Sequence, residues 1–136
     1  MSINNIISGS KGKWSDQISD ADYALLKANA ETIDEDAISE AHIETQIHNL
    51  PIPEPTPKAK TKWLKKMVCQ VLNDPSTEEE LKKVPLDKAK EKLLGIVVTA
   101  VLNAIPALGP VINIIINILV FLIKRALKKG IDNWCD

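Results

Sequence analysis

The chain has 136 residues, 45% of them hydrophobic, and a formal net charge of −1. That is the size of one domain, or of one small domain with a tail, with enough apolar matter for a core. Two cysteines cannot define a disulfide framework, and three Trp, one Tyr and one Phe with no basic stripe between them argue against nucleic-acid binding.

The near-zero net charge hides a partition. Residues 1–50 hold nine acidic and three basic side chains, residues 51–92 seven acidic and ten basic, and residues 93–136 two acidic and four basic. The sequence therefore divides into an acidic, weakly apolar helical segment (1–50), a Pro/Lys-rich linker (51–62) and a helical domain (63–136). The acidic part either shields or guides a basic, apolar partner region or serves as a solvated helical surface.

Residues 1–18 contain Gly9, Gly12 and several Ser and Asn, and are read as a mobile lead-in with Trp14 and Ile18 as docking side chains. No long apolar run occurs there, so no signal peptide is read. The expected location is cytoplasmic or membrane-associated, or outside the cell by a route that leaves no such mark. Asp20 is placed to cap a helix over 21–33, because a short acidic side chain accepts from first-turn amides. Asp34, Glu35 and Asp36 then open a second helix over 35–49, where acids suit the positive end of the helix dipole. His42 and His48 lie six apart, which does not put two ligands on one helical face, so no metal site is read.

From Leu50 to Pro57 every second residue is proline. Each ring fixes φ and removes a donor, giving an extended, semi-rigid spacer. Beyond it Trp63, Leu64, Met67, Val68, Val71 and Leu72 recur with helical spacing among lysines, the pattern of an amphipathic helix. Such a helix either packs on its neighbours or lies at a membrane interface. Cys69 beside this apolar face is expected to be a buried free thiol, with a bridge to Cys135 the alternative. Asp74 and Pro75 have the types preferred at N-cap and N1, so a short helix is predicted to run to Lys83 and end at Pro85. Asp87 is expected to cap the next helix.

That helix enters the most apolar stretch of the chain. Leu93 to Ile123 is 31 residues without a charge, interrupted by Pro106, Gly109 and Pro110. Proline breaks a helix interior, so the stretch is predicted to fold as two arms, Leu93–Ile105 and Val111–Ile123, around a turn at 106–110. Each arm has 13 residues, about 20 Å of helix against the ~30 Å of a bilayer's hydrocarbon. Gly95, Thr99 and Asn103 fall four apart, as do Asn113 and Asn117. Folding the arms antiparallel about Leu108 brings these small and amide residues level, which predicts a polar seam between the arms. Lys88, Lys90 and Lys92 flank one arm, and Lys124, Arg125, Lys128 and Lys129 the other. With Trp63 and Trp134, these are the candidate contacts to an anionic membrane surface. Gly130 is expected to stop the last helix.

The predicted fold is all-α, a small helical bundle built around an apolar antiparallel hairpin. No phosphate-binding loop, dinucleotide glycine motif, GxSxG or Cys/His zinc pattern occurs, so no catalytic residue, cofactor, metal or small-molecule substrate is inferred. Two functions are carried forward. One is a non-enzymatic membrane-active protein, inserting its hairpin in a pore-forming or toxin-like way. The other is a structural or interaction subunit whose hairpin is a core or an oligomer interface, with a partner protein or further copies of the chain as partners. The pattern over 93–123 is similar in kind to the hydrophobic hairpin of pore-forming colicin domains and of monotopic hairpin proteins. The likeness is architectural and carries no family motif.

Overall fold

A computed structural model describes residues 3–10, 12 and 46–135. Among them every regular element is helical, as the sequence predicts. In chain order these are α1 (Ile3–Gly9), α2 (Pro57–Leu72), α3 (Pro75–Lys82), a 3-10 turn (Leu86–Lys88), α4 (Ala89–Ala104), a second 3-10 turn (Pro106–Val111), α5 (Ile112–Lys129) and α6 (Ile131–Cys135).

The helix ends follow local chemistry. Thr56 caps α2, its hydroxyl accepting from the Ala59 amide at 3.1 Å, with Pro57 in the first turn, where no donor is needed. Asp74 caps α3, its carboxylate accepting from the amide and the hydroxyl of Ser76, both at 2.9 Å. Helix α4 stops at Ile105, which takes φ −136° and ψ 86°. That conformation lies outside the α region, which a residue before proline disfavours, and Pro106 follows. Gly130 ends α5 with φ +89°, a conformation costly for any residue with a Cβ.

The hairpin forms as predicted in outline. Helices α4 and α5 pack on each other across the Pro106–Val111 turn, with Leu108 fully buried beneath it. Helix α2 lies against both arms, α3 against α4, and α6 against α2 and α5. The arms meet the bundle through Leu93, Leu94, Val97 and Val101 of α4 and Ile115, Ile118, Leu119 and Ile123 of α5. Burying each such side chain stabilises by roughly 1.5–3 kcal/mol. The exposed ion pairs on α3 and α4, Lys83 with Glu80 at 3.3 Å and Lys92 with Glu80 at 3.8 Å, contribute about 0–1 kcal/mol each, so packing decides the fold.

Four expectations change. The lead-in contains a helix, α1, whose Ile3, Ile6 and Ile7 are buried against α3, α4 and the Leu86–Lys88 turn. Their spacing of three and one makes a short apolar face, which the surrounding Gly, Ser and Asn obscure in sequence. The proline spacer is shorter than 51–62, because α2 begins at Pro57, and its start is fixed to the core. Ile47, Leu50 and Ile52 are buried in the same cluster as the hairpin, and the Lys60 ammonium donates to the carbonyls of His48 at 3.0 Å and Leu50 at 2.9 Å. Asp87 lies within the 3-10 turn, and α4 starts at Ala89, with Lys88 before it making no side-chain cap. Cys69 is bonded to Cys135, with Cα atoms 5.8 Å apart. The expected helix over 21–33 and most of that over 35–49 fall outside the described residues, as do Trp14 and Ile18, while 46–48 is helical.

Candidate functional site

The residues singled out by the sequence do not form one cluster. Most of the amide and small residues lie on the outside of the hairpin, not within it. Gly95, Thr99, Asn103 and Asn113 are exposed, and Asn117 is half-buried. No atom approaches within 4 Å of where a Cβ on Gly95 would sit, so that glycine serves no close approach between the arms. The expected polar seam is corrected on this point. Four-residue spacing does put these groups on one helical face, but the aliphatic stripe of each arm turns inward and the amides keep their hydration. Burying an amide without a partner costs more than leaving it in water.

The hairpin tip is the turn itself. Pro106 and Pro110 are exposed and Gly109 is half-buried with no positive φ, so the turn's geometry comes from the prolines. Next to it Ile114 is 44% exposed, one of two large exposed hydrophobic side chains among the described residues; the other is Leu86 at 52%. The run Pro106–Lys129 is 24 residues of continuous helical turns, and is the helical stretch among the described residues long and apolar enough to cross a membrane by length and composition. It exceeds the 13-residue charge-free arm because the helix continues through Lys124 and Arg125 and the turn before it is also helical. Only 44% of its most apolar window is buried.

The basic flanks gather at the other end of the hairpin, where α4 begins and α5 finishes. Lys88, Lys128 and Lys129 are exposed, and Lys90, Lys92, Lys124 and Arg125 are half-buried. Along the outer side of α4 runs an open groove of about 570 Å³, lined by Val84, Lys88, Glu91, Lys92, Gly95, Ile96 and Thr99. It grades from charged side chains at the helix start to apolar and small ones one to two turns on. Lys88 and Glu91 approach to 3.9 Å across its charged end.

The two tryptophans separate. Trp63 is half-buried on α2, with part of its ring available at the surface. Trp134 is only 7% exposed. It packs into the core cluster, and the Lys65 ammonium sits 5.0 Å from the centroid of its ring. In this form Trp134 is a core residue and offers no ring to an interface, contrary to the expectation from its place near the chain end. No group of three or more His, Cys, Asp or Glu among the described residues could hold a metal ion.

One feature escaped sequence reasoning although it had a signal, and a second was left as the alternative. Thr56-Pro57 has the composition of a helix start, masked by the alternating prolines before it. The pairing of Cys69 with Cys135 had no local signal, because 66 positions separate the cysteines and only the return of α6 onto α2 brings them together. No protein-family model, curated protein or solved structure matches the chain.

Proposed function

We propose that this is a non-enzymatic, membrane-active helical protein that holds its apolar hairpin in a closed bundle and gives it to an anionic membrane surface. The carrying observation is the Pro106–Lys129 run, long enough to span and less than half buried in its most apolar window. Ile114 beside the turn supplies an exposed apolar tip. The lysines at the hairpin's open end supply electrostatic attraction to anionic headgroups, about 1 kcal/mol for each cation near the surface. Contact by the cations, followed by burial of the aliphatic arms in hydrocarbon, is the mechanism, and pore-forming or toxin-like action is its consequence. The acidic residues of 1–50 oppose approach to the same surface and so restrain or guide it. The Cys69–Cys135 bridge favours an oxidising setting, at or outside a cell surface.

The second reading is a structural or interaction subunit, favoured by the full burial of Ile115, Ile118, Leu119 and Ile123 inside the chain's own core. The two are separated by flotation of the full chain with phosphatidylglycerol and phosphatidylcholine vesicles. Removing residues 1–57 is not a clean comparison, because Ile3, Ile6, Ile7, Ile47, Leu50 and Ile52 belong to the core. Neutralising Asp34→Asn, Glu35→Gln and Asp36→Asn leaves those residues in place. Co-flotation with the anionic vesicles, increased in the neutralised variant, is the expected result. Retention of both forms in the aqueous fraction overturns the membrane reading and leaves the subunit reading, to be followed by sedimentation analysis of self-association.

A further inference from the structure

The bridge between Cys69 and Cys135 joins two elements that the membrane reading needs apart. Helix α2 carries the amphipathic face of Leu64, Val68, Val71 and Leu72, all buried against the bundle. Helix α6 has five residues and follows directly on α5. Gly130 turns the chain, the Asn133 amide donates to the Lys129 carbonyl at 3.2 Å, and the Trp134 amide donates to the Gly130 carbonyl at 2.9 Å. These contacts hold α6 to α5. Its hold on α2 includes the bridge and Trp134 packed beneath Lys65, with Ile131 also against the core. An isolated helix of five residues has no stability of its own. The closed position of α6 therefore depends on the bridge together with the seating of Trp134 in the core.

Both cysteines are only half-buried, and Asp132 and Asn133 beside Cys135 are exposed. Part of each bridged residue therefore stands at the surface of the folded bundle. The loop that the bridge closes, with a separation of 66, contains α3, both arms and the turn between them. Its junction lies at the open, basic end of the hairpin, where α5 finishes and α2 gives way to α3.

We propose that the Cys69–Cys135 bridge is a redox latch, opened by a dithiol reductant, that keeps α2 and the hairpin folded on each other until the chain meets a reducing environment. The inference rests on the membrane reading for its purpose but not for its chemistry. One thiolate of the dithiol attacks a bridge sulfur, breaking the S–S bond and forming a mixed disulfide. The second thiol resolves it. The dithiol leaves as a cyclic disulfide, oxidised by two electrons, and Cys69 and Cys135 each end as thiols. With the tether gone, α6 loses the high effective concentration that keeps Trp134 seated. Trp134 leaves Lys65, and the apolar faces of α2 and α5 near it are free to exchange each other for lipid.

The test uses the full chain in oxidised form, the same protein treated with dithiothreitol, and a Cys69→Ser, Cys135→Ser double variant. Two readouts are taken. The first is hydrogen exchange at the Trp134 amide, without lipid. The second is co-flotation with phosphatidylglycerol vesicles. Reduction is expected to raise exchange of the Trp134 amide, and to increase co-flotation on the order of tenfold or more, as loss of a covalent tether implies. The double variant should match the reduced protein in both, with helix content unchanged by circular dichroism. If that variant does not fold, the alkylated reduced protein takes its place. Unchanged exchange at Trp134 on reduction overturns the latch, whatever the vesicles do. Increased exchange with equal co-flotation of both forms shows a bridge that holds α6 but does not govern insertion, and overturns it too. Increased exchange with no flotation in any form overturns the membrane reading and leaves the opening itself established.

Discussion

Asp74 shows how much one side chain at a helix start can decide. Its carboxylate accepts from the Ser76 amide and then from the Ser76 hydroxyl, and these hold its pKa below the ordinary carboxylate value. A carboxyl whose pKa is lower folded than unfolded contributes stability that is complete above its unfolded value, about 3.9, and is lost as pH falls through the lower folded value. The start of α3 should therefore loosen only in strong acid. Following the Ser76 amide resonance against pH tests this: one acid transition is expected, and in Asp74→Asn it should disappear. Gly95 gives the opposite lesson. With open space where a Cβ would sit, Gly95→Ala should raise stability by about 0.5–1 kcal/mol, because glycine in a helix interior is the poorer choice. Leu119→Ala, at a fully buried position, should lower it by about 2–5 kcal/mol. Urea midpoints for the two variants check both signs; destabilisation by Gly95→Ala would restore the idea of a tight seam at that face.

At the scale of elements, the sequence was most legible where chemistry is local. The breaks at Pro106 and Gly130, the Asp74-Pro75 start and the amphipathic face of α2 depend on neighbours within one or two turns, and each appears where its residues predict. The direction in which a helix turns its polar face depends on what the rest of the chain brings against it. Thr99, Asn103 and Asn113 face outward and Asn117 is half-buried, because the aliphatic stripes on the other sides of α4 and α5 have more to gain from burial. The short α1 and the Thr56 cap were missed for a different reason, since runs of Ser, Asn and Pro outweighed a few isoleucines and one hydroxyl. Ile114 tests the hairpin as an element. Ile114→Asp changes an exposed side chain and should shift stability by no more than about 0.5 kcal/mol. If the tip enters lipid first, the same change should reduce capture by phosphatidylglycerol vesicles severalfold; undiminished capture would place first contact elsewhere.

For the whole molecule, the bridge outweighs any single contact. In the chain-entropy account, closing a loop with a separation of 66 stabilises the folded state by about 4 kcal/mol. A domain of this size is stable by only about 5–15 kcal/mol in total. One covalent bond thus carries a large share of what keeps the amphipathic α2, the hairpin and α6 in one body. Among the described residues, one core cluster takes in Ile3, Ile6, Ile7, Ile47 and Leu50 from the acidic first part together with the side chains of α2 and of the hairpin.

The closed loop also bears on how the chain can travel. A translocation machine that draws a polypeptide through a narrow opening takes it as one extended strand. A bridge with a separation of 66 hides about 220 Å of that strand, at roughly 3.3 Å per residue, and presents a branched chain at the entrance. For any such passage, crossing and closure of the bridge would be ordered in time: an open thread first, and the junction at Cys69 and Cys135 tied only afterwards.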